Sequence, residues 1–118
     1  MAQHLDFGAK GEQLAAEFLA EHGFSLLDRN WHSGHHELDI VCEWHGEVVF
    51  VEVKTRTNES YSTAESAVGR RKQEMLREAA HSWLRLHGRL DSPYRYDIIT
   101  IVGQQPPYQL SHFRRAFA

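Results

Sequence analysis

Apolar and polar positions alternate through Glu37 to Arg56, ELDIVCEWHGEVVFVEVKTR, on both sides of a His45-Gly46 pair. The pattern predicts two strands joined by a two-residue turn, because β-branched and alternating residues flank a Gly-containing dipeptide. On the second strand Val48, Phe50, Glu52 and Lys54 fall on one face, and Val49, Val51 and Val53 on the other. Apolar residues on both faces predict a central strand, covered on each side. On the first strand Glu37, Asp39 and Val41 share a face, and Leu38, Ile40 and Cys42 its opposite.

The flanking segments read as helices and further strands. Leu5 to His22 has helical periodicity and ends at Gly23, with Asp6 as a plausible cap. Its inward stripe holds Glu12, Ala15, Ala16, Leu19 and His22. Phe24 to Trp31 predicts a strand, and His32 to His36 a short loop. The polar run Thr57 to Tyr61 reads as a mobile loop. Ser62 and Glu65 form a capping box for a second helix running to about His87 and stopping at Gly88. Its stripe is Val68, Met75, Leu76, Ala79, Ala80, Trp83 and Leu84, with Lys72 between Val68 and Leu76. Tyr94 to Val102 predicts another strand, in which Asp97 is a candidate structural acceptor, and Tyr108 to Phe113 an edge strand. The order α-β-β-β-α-β-β implies an α/β fold: a mixed sheet flanked by helices, each burying one stripe.

Composition narrows the class. At 118 residues, 42% hydrophobic and 25% charged, residues 1–118 read as one soluble domain. No apolar run reaches transmembrane length and the N-terminus lacks signal-peptide character, so a cytoplasmic protein with no membrane partner is expected. The lone Cys42 fits a reducing compartment. A net charge of −3 does not advertise nucleic-acid binding, but charge can be local. Arg70-Arg71-Lys72 and Arg114-Arg115 are the basic clusters that can meet phosphates, or else solvated surface.

The hairpin carries the candidate chemistry. With His45-Gly46 as a two-residue loop, Trp44 faces Glu47, Asp39 faces Glu52, and Glu37 faces Lys54. Opposed residues have Cβ atoms roughly 4.5–5.5 Å apart, close enough for two carboxylates to share a divalent cation with water and phosphate oxygens. A three-residue loop would put Glu52 on the other face. The structural alternative is a cross-strand ion pair at a sheet edge, contributing about 0–1 kcal/mol. The apolar surroundings of Glu52 favour the site reading. His32, His35 and His36 near Cys42 raise a zinc alternative, but their spacing matches no closed structural set.

A helical Glu12, Asp39 on one strand and Glu52-Val53-Lys54 on the next resemble the PD-(D/E)xK nuclease signature without its proline. More closely, GAKGEQLAAEFLAEHGF, LLDRNW, ELDIV, VVFVEVKTR, the Lys72 helix, YRYDII and HFRRAFA resemble the small bacterial YraN-type proteins, relatives of archaeal Holliday-junction resolvases and restriction endonucleases. His36 stands where that family usually has Gly, and Ser62 where a Gly often opens the second helix. The resemblance implies a restriction-endonuclease-like core and phosphodiester hydrolysis on branched or structured nucleic acid, DNA in preference to RNA. It implies catalytic Glu12, Asp39, Glu52 and Lys54, with Mg²⁺ or Mn²⁺ held by Asp39, Glu52, the Val53 carbonyl and Glu12. Glu37 would position Lys54, while Lys72, Arg56, Arg70 and Arg71 would contact phosphate. A non-catalytic nucleic-acid-binding module or an interaction subunit on the same fold is the competing reading, with a homodimer or protein partner as a source of DNA affinity.

Overall fold

The computed structural model describes residues 6–57 and 68–118. Among them the order is α1 (Asp6–Glu21), β1 (Ser25–Ser33), β2 (His36–Trp44), β3 (Glu47–Arg56), α2 (Arg70–Leu86), β4 (Tyr94–Val102) and β5 (Gln109–Phe117). The five strands form one sheet in the order β1-β2-β3-β4-β5. Only β3 and β4 run parallel; the other neighbours are antiparallel. A parallel pair needs a crossover connection, and α2 lies within it.

β3 is central because it is apolar on both faces: Val48, Val49, Phe50 and Val51 are all buried. Ala15, Ala16 and Leu19 of α1 pack with Ile40, Cys42, Val49, Val51, Ile99 and Ile101. Leu76, Ala79, Ala80, Trp83 and Leu84 of α2 pack with Val41, Val48, Phe50, Tyr96 and Ile98 on the opposite face. Burying each large aliphatic residue here contributes roughly 1.5–3 kcal/mol. Gly11 sets how closely α1 approaches, since a Cβ there would collide with Cγ2 of Thr55 on β3. The position of Glu12 follows from that contact.

The β2–β3 turn has the expected two residues. His45 (φ 52°) and Gly46 (φ 81°) both take left-handed backbone, as a twisted two-residue hairpin requires. The register follows: Trp44 pairs with Glu47 and Ile40 with Val51.

Other expectations need correction. His32 and Ser33 complete β1 and His36 opens β2, so Gly34-His35 alone turns the chain where a five-residue loop was expected. The second helix is not continuous from Ser62, because Gly69 is extended (φ −74°, ψ 173°) and stands at the N-cap of α2. The Ser62–Glu65 capping box, most of the Thr57–Tyr61 loop and the Asp6 side chain lie outside the described residues. Met75, expected inside, is 44% exposed. β5 extends to Phe117, well beyond Phe113. Leu38 does not share a face with Ile40: it packs with Val41 and the α2 residues, whereas Ile40 and Cys42 lie under α1. Simple alternation fails at Asp39.

Candidate functional site

That failure has a local cause. The β1–β2 register passes from Arg29–Ile40 to Trp31–Leu38, leaving Asn30 opposite Asp39. Asn30 has φ 52°, a left-handed conformation that Asn tolerates better than most residues and that twists the strand there. On the other side of β2, pairing with β3 runs no further than Ile40–Val51. Beyond it the Asp39 side chain replaces the ladder, its Oδ2 accepting the Val53 N–H at 3.0 Å. The N–H and C=O of one strand residue point to the same edge, so the Val53 carbonyl also faces Asp39.

Glu52 is the next residue after Phe50 on the face covered by α2, and it is only 6% exposed. Lys54 Nζ and Lys72 Nζ each lie 3.7 Å from its Oε2. Burial pushes the Glu52 carboxyl up, and Asp39 adds to this by its charge and by hydrogen bonding. Lys72 and Lys54 pull the other way, and the carboxyl ends at about 7. Asp39 and Glu52 therefore converge, and near neutral pH one proton helps relieve their repulsion.

Glu12 is half-buried beside this pair. Its pKa is raised, first by burial and then by the Asp39 charge, against the Arg29 charge and a hydrogen bond with Asn30. Arg29 is braced in turn by Gln13 at 3.1 Å. Arg29 and Asn30 escaped sequence analysis. The available signal was an Asn inside a strand, where Asn is disfavoured.

The structure also separates some expected partners. Glu37 is exposed, and the Lys54 ammonium pairs with Glu52 rather than with Glu37. His36, whose bulk could have obstructed a cation, turns to α2 instead. Its Nε2 lies 3.3 Å from Glu78 Oε1 and its Nδ1 3.4 Å from Ser82 Oγ. Arg70 and Arg71 are exposed in the first turn of α2, which contains no acidic residue, two and one positions before Lys72. Arg56 is half-buried at the end of β3. Arg114 and Arg115 are occupied elsewhere: Arg114 stacks over Trp44 at 4.7 Å, and Arg115 Nη2 pairs with Glu47 at 3.2 Å.

Among the described residues no group of three or more His, Cys, Asp or Glu is placed to hold a metal ion. The zinc alternative finds no support there. Cys42 is fully buried, its thiol lies 3.6 Å from the Val49 carbonyl, and burial pushes it up to about 12. Glu12 does not complete a three-carboxylate set. What remains is two carboxylates and a carbonyl, a donor set suited to a hard cation that keeps water and phosphate as its other ligands.

A family model described as "Uncharacterised protein family UPF0102" matches residues 11–101. The chain belongs to the family UPF0102. UPF0102 proteins of Phocaeicola vulgatus and Bacteroides thetaiotaomicron are 42% and 41% identical to it over 117 residues, spanning 99% of this chain and 96% of each relative. A UPF0102 protein of Rhodococcus opacus is 43% identical over 118 residues, 99% of this chain and all of the relative. The UPF0102 match thus covers α1 from Gly11, the acidic hairpin, α2 and nearly all of β4. No helix among the described residues is long and apolar enough to cross a membrane.

Proposed function

We propose that this UPF0102 protein has a restriction-endonuclease-like core and acts as a metal-dependent endonuclease on branched or structured DNA. The observation that carries the reading is Glu52, buried between two lysines yet held near neutral proton affinity by burial and Asp39. A carboxylate pair in that state fits a divalent cation, which can displace the proton and neutralise both groups together. Mg²⁺ or Mn²⁺ bound there would activate a water and offset charge on a phosphate.

The chain's own groups then have distinct tasks. Asp39, Glu52 and the Val53 carbonyl would hold the cation. Lys54 would orient the attacking water or the scissile phosphate and offset developing negative charge. Glu12 would accept a proton from water in an outer position, and Asn30 would orient Glu12. Lys72 reaches the same carboxylate from α2, following Arg70 and Arg71, so it would guide the phosphate backbone inward. With a net charge of −3, affinity for DNA would be helped by a second copy or a partner protein.

One observation favours the non-catalytic binding module: two lysines already neutralise Glu52 without a cation. Titration with Mn²⁺ separates the two. The nuclease reading expects a rise in melting temperature with Mn²⁺, absent in Asp39→Asn. It also expects Mn²⁺-dependent cutting of branched, flapped or single-stranded DNA, lowered at least roughly 10²-fold in Lys54→Ala. Pure protein that is neither stabilised by Mn²⁺ nor able to cut any of these substrates would leave the binding module.

A further inference from the structure

On the α2 face, toward the opposite end of β3 from Lys54, a cleft of about 470 Å³ opens between Arg77 of α2, Tyr94 and Tyr96 of β4, and Arg115 and Phe117 of β5. Its floor is aromatic. Tyr96 and Phe117 stack with centroids 4.8 Å apart and planes 10° apart. Tyr94 stands edge-on to Tyr96 at 6.0 Å and is 47% exposed.

Its rim is cationic and braced. Arg77 lies over the Phe117 ring at 5.6 Å, with Nε donating to the Ala118 carbonyl at 2.8 Å and Nη2 to Gln73 Oε1 at 3.4 Å. Its Nη1 has no hydrogen-bond partner among the described residues. Arg115 is 67% exposed and held through Nη2 by Glu47, and Arg95 borders the cleft with its own guanidinium committed to Asp97 and Glu47. A guanidinium anchored by some of its donors is pre-organised to give the others to phosphate. Exposed aromatic rings beside such cations are the chemistry that stacks unpaired bases and tracks a single strand.

We propose that this cleft holds an unpaired nucleotide of single-stranded DNA, with its base against Tyr94 and its phosphate on Arg77 and Arg115. The choice of DNA rests on the nuclease reading, which it deepens: the substrate would carry a single-stranded segment beside the cut. The placement is consistent with that. Tyr96 pairs with Phe50, two residues before Glu52 on β3. Arg77 follows Lys72 on α2 by five residues, a rise of about 7.5 Å, or about two nucleotide steps of a stacked strand. Tyr96 and Phe117 also wall the small internal space that touches Glu52.

The test is fluorescence anisotropy with a labelled thymidine oligonucleotide in EDTA, so that no cation bridges DNA to the acidic pair. Single-stranded DNA is expected to bind more tightly than a duplex of equal length. Tyr94→Ala should weaken it about tenfold and Tyr94→Phe should retain it, because the ring does the stacking. Arg77→Ala should weaken it as well. Tyr94 is half-exposed, and a melt of each variant confirms folding. Equal binding by wild type and Tyr94→Ala, equal loss in Tyr94→Phe, a preference for duplex, or tighter binding of the matching RNA would each overturn the proposal. Loss of cleavage with intact binding sinks only the nuclease reading; loss of binding with intact cleavage sinks only the cleft.

Discussion

Glu52 and Asp97 are two buried carboxylates on adjacent parallel strands, one step apart in register, with Val51 opposite Asp97 and Glu52 opposite Ile98. Asp97 is 1% exposed and Glu52 6%, yet their states are opposite. Asp97 accepts from Arg95 Nε at 3.0 Å and Nη2 at 3.2 Å, from the Arg115 backbone N–H at 3.0 Å, and pairs with His112 Nε2 at 2.8 Å. Burial alone would raise its pKa, but the bonds from His112, Arg95 and the Arg115 N–H outweigh burial and lower it. Glu52 has two ammonium groups at 3.7 Å, but burial first and the Asp39 carboxylate second outweigh them and its pKa rises. A fully bonded carboxylate locks structure, here β5 onto β4. A crowded, under-bonded one stores the capacity to take a proton or a cation.

The largest effect expected on this contrast comes from Asp97. Asp97→Asn removes the charge opposite Arg95 and leaves that guanidinium buried beside Glu47 alone, at a cost of about 3–5 kcal/mol in urea unfolding at pH 7. The folded pKa of Asp97 lies below its reference of 3.8. Its stabilisation is therefore complete above 3.8 and lost as pH falls through the folded value, so the gap between variant and wild type should close in acid. A loss under 1 kcal/mol at pH 7 would remove the distinction between the two carboxylates.

A smaller effect of opposite sign is expected at Glu52. Its pKa rises from 4.5 to about 7 on folding, so its protonated form contributes stability fully below 4.5, and that contribution is lost as pH rises through about 7. Without metal, Glu52→Gln should equal wild type in melting experiments near pH 4 and exceed it by about 1–3 kcal/mol at pH 8. Saturating Mn²⁺ should reverse the order at pH 8. A wild type more stable than Glu52→Gln in EDTA at pH 8 would make Glu52 a second structural acid like Asp97.

The smallest effect belongs to the exposed cations. Arg71→Ala should leave unfolding unchanged and lower the slope of log affinity for DNA against log salt by about 1, one phosphate contact fewer. An unchanged slope would place the phosphate path away from the start of α2.

Much of the scaffold was readable locally. Period-two alternation around His45-Gly46 gave the hairpin and its register, and hydrophobic stripes gave both helices their inward faces except at His22 and Met75, which are exposed. Where reading failed, a neighbour distant in sequence had the deciding role. Met75 sits on a helical stripe but meets solvent, while Leu76, Ala79, Ala80, Trp83 and Leu84 take the buried face of α2. Glu37 was matched to Lys54 by counting, but the ladder does not extend that far and Glu52 takes the ammonium. Asp97 was legible as an acceptor, though its partners His112 and Arg115, from a strand expected to end at Phe113, were not.

Sequence alone determined which segments are strands, where the tight turn falls and which acids share the hairpin, because side-chain period and turn chemistry act over a few residues. Tertiary structure decided that Lys72 reaches Glu52 from α2, that the twist at Asn30 lets Glu12 approach Asp39, and that Asp97 is saturated while Glu52 is not. These outcomes depend on where a ladder ends and how closely a helix lies on the sheet, quantities set by many weak long-range contacts together.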